Sequence, residues 1–105
     1  VRHSLRWRGR GDIDSIAIAP GGVACAIETK TRTYGEQHLR LVRNQGAWLW
    51  RRRRRWCRGG ALPVLCIVRA RGVERWEGGV LVVSMDRIVH ALRVAAASVT
   101  SDLHR

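Results

Sequence analysis

Four charged residues, Asp12, Asp14, Glu28 and Lys30, bracket a stretch that is otherwise almost wholly apolar, 12-DIDSIAIAPGGVACAIETK-30. If the chain reverses at Pro20-Gly21-Gly22 into an antiparallel hairpin, Ala19 faces Val23. Asp14 then falls opposite Glu28, and Asp12 opposite Lys30. Strand side chains alternate between faces, so these four even-numbered positions share one face at the end away from the turn. Two carboxylates placed directly opposite repel each other. In a partly buried site one must take a proton or a cation must lie between them. Carboxylate oxygens, completed by water and phosphate oxygens, suit Mg²⁺, with Mn²⁺ as the alternative. A lysine beside that pair can hold the attacking water and offset charge on a phosphoryl transition state, which is the chemistry of phosphodiester hydrolysis. A solvated cross-strand ion-pair cluster at the strand ends would have the same residues, and spacing alone leaves both readings open.

The elements that must position these residues follow from pattern. The basic segment 1–11 holds an edge strand around residues 3–7. Segments 12–19 and 23–30 read as strands joined by Pro-Gly-Gly turn chemistry. Leu39, Val42, Gly46, Leu49 and Trp56 recur at helix-face spacing, which predicts a helix over 36–57, stopped by 59-GG-60. The run 63-PVLCIVRA-70 reads as a buried strand, 71–79 as a charged turn, and 80-VLVVS-84 as a short strand. Asp86 is the expected N-cap of a last helix over 87–98, with a frayed tail over 99–105. The order β-β-β-α-β-β-α makes an α/β fold. The hairpin is apolar on both faces, so the mixed central sheet needs helices on both sides, and Ala24 and Ala26 predict a helix lying close.

The 105 residues suit one domain with one core. Of 20 lysines and arginines only Lys30 is a lysine, and against 8 acids they give a net charge of +12. A field of this sign favours an anionic partner, most simply nucleic acid, with DNA expected first. Arginine-rich, lysine-poor composition also arises from coding DNA rich in G and C, which does not remove the field. Cys25, Cys57 and Cys66 lack metal-site or disulfide spacing, so packed thiols in a reducing cytoplasm are expected. His3, His38, His90 and His104 have no metal-ligand spacing to one another. No apolar run reaches the roughly 18 residues that span a membrane, so no membrane partner is expected. The chain begins at Val1 rather than Met, as a fragment would.

The run 51-RRRRR-55 lies late in the predicted helix, with Arg53 on the apolar stripe, where it must snorkel. It reads either as a phosphate-tracking patch or as a solvated helix end that favours the helix dipole. Trp48 and Trp50 are about 200° apart on a helix, so one of them must be partly exposed. Trp56 is expected in the core.

These residues resemble a known family. The pattern 11-GDIDSIAIAPGGVACAIETK-30 resembles the nuclease-related domain, NERD, of the PD-(D/E)XK nuclease superfamily. Asp14 matches the motif aspartate, Glu28 the second acid and Lys30 the lysine. Gln45 precedes 63-PVLCIV-68 at the spacing of the family's helix glutamine, and 80-VLVVSMDRIVHAL-92 matches the closing strand and helix. The likeness covers about residues 5–95. It implies a restriction-endonuclease-like core, a four-stranded mixed sheet flanked by helices, and Mg²⁺-dependent cleavage of nucleic acid. Asp14 and Glu28 would bind Mg²⁺ with the Thr29 carbonyl as a further ligand. Lys30 would act on the water, Gln45 would orient its neighbours, and Arg51, Arg52, Arg54 and Arg55 would hold phosphates. Ser15 stands where many members carry His. Members also open with a helix whose Glu helps build the site, and this sequence starts after that point. An apolar face left by that helix would favour a homodimer. The alternatives are a non-catalytic basic nucleic-acid-binding module on a truncated nuclease fold, and a small assembly domain whose basic surface reflects genome composition.

Overall fold

The computed structural model describes residues 2–7, 11–19, 21–31, 33–52 and 54–103, and side chains within 15–19, 21–31, 33–52, 54–55 and 57–99. Its elements are β1 (Arg2–Trp7), β2 (Gly11–Ala19), β3 (Val23–Lys30), α1 (Glu36–Arg52), β4 (Gly60–Ile67), β5 (Glu74–Glu77), β6 (Val80–Ser84) and α2 (Ile88–Leu103). Short 3₁₀ turns occupy Arg54–Trp56 and Met85–Arg87. The strands form one mixed sheet in the order β1-β2-β3-β4-β6-β5. β3, β4 and β6 run parallel, and antiparallel strands extend the sheet on both sides.

The hairpin adopts the expected register. Ala19 pairs with Val23, and the pairing runs without a bulge to Ser15 and Ile27. Gly21 and Gly22 have φ of 88° and 80°, a backbone that glycine enters without strain, and the Gly22 N–H donates to the Ala19 carbonyl at 3.1 Å. Pro20 lies outside the described residues.

Both faces of the sheet are covered. Ile16, Ala24 and Ala26 pack under Leu49 and Cys57 on the α1 side, and Leu65, Ile67, Val80 and Val82 pack under Leu39 and Val42. Val23, Cys25 and Ile27 on β3, with Val64, Cys66 and Val83 beside them, pack under Ala91, Ala95 and Ala96 of α2. Small residues set the separation, as the alanines predict. At Gly46 an added Cβ would lie 3.3 Å from the Pro63 Cβ, so α1 rests close against β4 and a side chain there would push Pro63 aside by a few tenths of an ångström. Ile18 is 40% exposed although it shares the α1 face, because α1 packs mainly over β3 and β4 and not over β2.

Five features differ from the sequence reading. The α-helix stops at Arg52 rather than Cys57. The Cys57 Sγ lies 3.6 Å from the Leu49 carbonyl oxygen, whereas eight residues of continuous helix would separate them by about 12 Å. The chain folds back so that Cys57 is buried, and the five like charges before it cannot share a buried stripe. Arg53, and the side chain of Trp56, lie outside the described residues. β4 runs over Gly60–Ile67, three residues earlier at each end than expected. β6 begins to pair only at Val64, so Gly60–Pro63 have a strand on one side alone, an edge position that proline tolerates.

The charged segment 71–79 contains a strand, β5, joined to β6 by Gly78-Gly79, both with positive φ (57° and 80°). It forms the exposed sheet edge, where charged side chains suit the open backbone. Finally, Asp86 is not a helix N-cap. It sits inside a 3₁₀ turn, and both its carboxylate oxygens accept from the Gly72 N–H, at 3.3 and 3.1 Å. The last helix runs on through Leu103.

Candidate active site

Glu28 and Lys30 lie at the C-terminal end of β3, both half-buried, with Thr29 exposed between them. Two residues of strand separate Glu28 from Lys30 by roughly 6.6 Å along one face. That face is the one α1 covers, since Ala24 and Ala26 of the same parity pack under Leu49.

Gln45 reaches this point from the middle of α1. It is 2% exposed, and its Nε2 donates to the Glu28 Oε2 at 3.3 Å. The helix places it there because position 45 falls three residues after Val42 and four before Leu49, inside the buried stripe. The amide fixes the direction of the carboxylate. Sequence reasoning reached Gln45 only through the family likeness. The signal available in the residues was a lone amide within an apolar helical stripe, which needs a polar partner on the sheet.

Asp14 is the next residue of β2 beyond the Ser15–Ile27 pair, so the described register leads to it opposite Glu28. Its side chain, and that of Asp12, lie outside the described residues, and the face-to-face carboxylate pair therefore rests on register alone. Among the described residues no group of three or more His, Cys, Asp or Glu converges to hold a metal ion. The donors that would suit one are oxygens: the Glu28 carboxylate, the Thr29 carbonyl and, by register, Asp14.

The arginine run is elsewhere. Arg51, Arg52, Arg54 and Arg55 are exposed at the C-terminal end of α1. That end lies near the hairpin turn, where the Gly59 N–H donates to the Gly22 carbonyl at 2.9 Å. Six residues of β3 separate Gly22 from Glu28, about 20 Å. Gln45 thus meets Glu28, Lys30 follows two residues along the same face, and the four arginines are not part of that group. Trp50 is 39% exposed with the Arg54 guanidinium 5.1 Å from its ring centroid, while Trp48 packs toward the core, so one of the two is exposed as the helix geometry requires. His38 has a local role, its Nδ1 accepting from the Gly35 N–H at the start of α1.

A second polar group was invisible to the sequence because its members are far apart in the chain. The Tyr34 hydroxyl bonds to both Glu77 and Arg75, tying the β3–α1 connection to β5. Burial, then the bond to Glu77, raises the Tyr34 hydroxyl above its ordinary pKa. The bond from Tyr34 is the main cause holding Glu77 below its own.

Among the described residues no helix is long and apolar enough to cross a membrane. No protein-family model matches the chain, and no curated protein or solved structure matches it at a significant level.

Proposed function

We propose that the chain is a metal-dependent nuclease-type domain that hydrolyses phosphodiester bonds in nucleic acid, with DNA as the first substrate to test. The observation that carries this reading is the buried Gln45 amide donating to Glu28, two residues before Lys30 on the same strand. A carboxylate directed by a buried donor has a fixed orientation that a solvated strand end lacks, which supports a ligand role. The uninterrupted hairpin register toward Asp14 and the likeness of these residues to the nuclease-related domain support it further.

Asp14, Glu28 and the Thr29 carbonyl would hold Mg²⁺, or Mn²⁺ in its place. Such an ion polarises a phosphoryl oxygen and lowers the pKa of a bound water. Lys30 would position the attacking water and offset charge on the phosphoryl oxygens, and Gln45 would keep Glu28 in place. Three buried free thiols suit a reducing compartment, and the cytoplasm is the proposed location.

The test is cleavage of plasmid and of single-stranded DNA with Mg²⁺, with EDTA, and by Lys30→Ala. Metal-dependent cutting that Lys30→Ala loses is expected. Equal behaviour of wild type and Lys30→Ala would refute the catalytic assignment. The exposure of all four described arginines of the run favours one other reading, a basic nucleic-acid-binding module without catalysis. Its signature is steeply salt-dependent binding with no metal-dependent cutting.

A further inference from the structure

The ends of three parallel strands align beside Glu28. Lys30 pairs with Ile67, and Ile67 with Ser84, across β3, β4 and β6. Open α/β sheets bind ligands at this end of their parallel strands. The chain leaves β4 there through Val68, Arg69, Ala70 and Arg71, which line a concavity of about 470 Å³. The backbone of this loop is bonded to the end of the strand that carries Glu28 and Lys30. The Val68 N–H donates to the Lys30 carbonyl at 2.8 Å, and the Arg69 N–H to the Thr31 carbonyl at 2.9 Å.

The far side of the loop is equally fixed. The Gly72 N–H is held by the Asp86 carboxylate, and the Val73 N–H donates to the Ser84 Oγ at 2.9 Å. The Ser84 Oγ also lies 3.3 Å from the Val73 carbonyl, to which the Ser84 N–H donates at 2.9 Å. Ser84 is fully buried. Hydrogen bonds from Ser84 and then from Gly72 hold the Asp86 carboxyl below its ordinary pKa, so the anchor is charged at neutral pH.

This anchored loop presents two exposed arginines one residue apart. The ion pairs among the described residues are Arg43–Glu36 and Arg75–Glu77, and neither involves Arg69 or Arg71. The nearby acid, Asp86, faces backbone N–H groups instead. Two guanidiniums on a hydrogen-bonded loop line a concavity, and the loop backbone adjoins the strand that carries Lys30. That arrangement matches a phosphodiester, whose oxygens accept from the guanidinium fork.

We propose that Arg69 and Arg71 form the phosphate-binding wall of the Glu28–Lys30 site and grip the polynucleotide backbone next to the bond to be cut. This rests on the nuclease reading for its purpose. Its test does not, because binding is measured in EDTA, where no cutting occurs.

The experiment compares wild type, Arg69→Gln/Arg71→Gln, Arg69→Lys/Arg71→Lys and a quadruple Gln variant of Arg51, Arg52, Arg54 and Arg55, binding a fluorescent DNA duplex over a salt series. Each phosphate contact contributes about 0.9 to the slope of log affinity against log salt. Loss of the loop pair is expected to lower the slope by about 1.8, and the lysine pair is expected to restore it. An unchanged slope in the loop variant, or no binding by the wild type, overturns the proposal. Plasmid cleavage by wild type against Lys30→Ala separately decides the nuclease reading. A loop that binds phosphate in a chain that does not cut would leave the site a binding surface.

Discussion

At Gln45 two demands meet in one side chain. It fills a position in the buried stripe of α1, where an apolar residue would be the ordinary choice, and it directs the Glu28 carboxylate. A purely structural role and a positioning role therefore separate under substitution. Gln45→Leu keeps roughly the same volume and removes the donor. The change removes one hydrogen bond to a carboxylate that water can still reach, a net cost of about 0.5–1.5 kcal/mol. The expected result is a melting temperature within a few degrees of wild type. On the proposed nuclease reading, cleavage is expected to fall by about 10- to 100-fold, the usual effect of removing a group that orients a metal ligand. Full activity in a folded Gln45→Leu variant would show that the amide serves packing alone.

Among the elements, the hairpin β2–β3 was the most legible. The Pro-Gly-Gly loop puts Ala19 opposite Val23, and the structure has that register. β5 was misread for the opposite reason. Its residues, Glu74, Arg75, Trp76 and Glu77, are charged or exposed, so they lack the apolar alternation that identifies a strand. The Gly78-Gly79 pair before 80-VLVVS-84 was the hairpin signal present in the sequence. The path of α1 was not readable at all. Only packing shows that its first half lies over β4 and β6 and its end near the hairpin turn, which carries the arginine run away from Glu28.

That junction between the helix end and the hairpin gives a test. A Cβ at Gly59 would meet the Gly21 carbonyl oxygen at 2.3 Å, so backbone must move. Gly59→Ala is expected to cost about 1–3 kcal/mol, as overpacking does, which lowers the melting temperature by at least about 4 °C in a domain of this size. Gly72 is the control. Its φ is +66° and nothing lies within 4 Å of an added Cβ, so Gly72→Asn, which tolerates that backbone, should melt close to wild type. Equal melting of Gly59→Ala and wild type would mean that the α1 end and the hairpin turn do not touch as described.

Across the whole molecule the sheet divides the core in two, and the three thiols report on both halves. Cys25 and Cys66 lie under α2, and Cys57 lies under α1. All three are buried and free. Burial pushes the Cys25 thiol from its ordinary 9.0 up to about 12 and raises Cys57 and Cys66 as well. Thiolate is the reactive form, so a thiol reagent at pH 8 should label none of them in the folded chain and all three after denaturation. If the two half-cores form one cooperative unit, as expected for a domain of this size, the three should become reactive at the same denaturant concentration. Labelling of Cys57 alone at lower denaturant would show that α1 leaves the sheet first. The same shift sets a pH dependence. Above pH 9 the unfolded thiols lose their protons while the folded Cys25 keeps its own, so the unfolded state binds fewer protons and stability falls as pH rises. The contribution is complete below pH 9 and is lost progressively toward pH 12. Cys25→Ala removes that group, and its unfolding free energy should decline less steeply between pH 9 and 11 than that of wild type. An identical decline would mean that Cys25 is open to solvent and that the core under α2 is not closed.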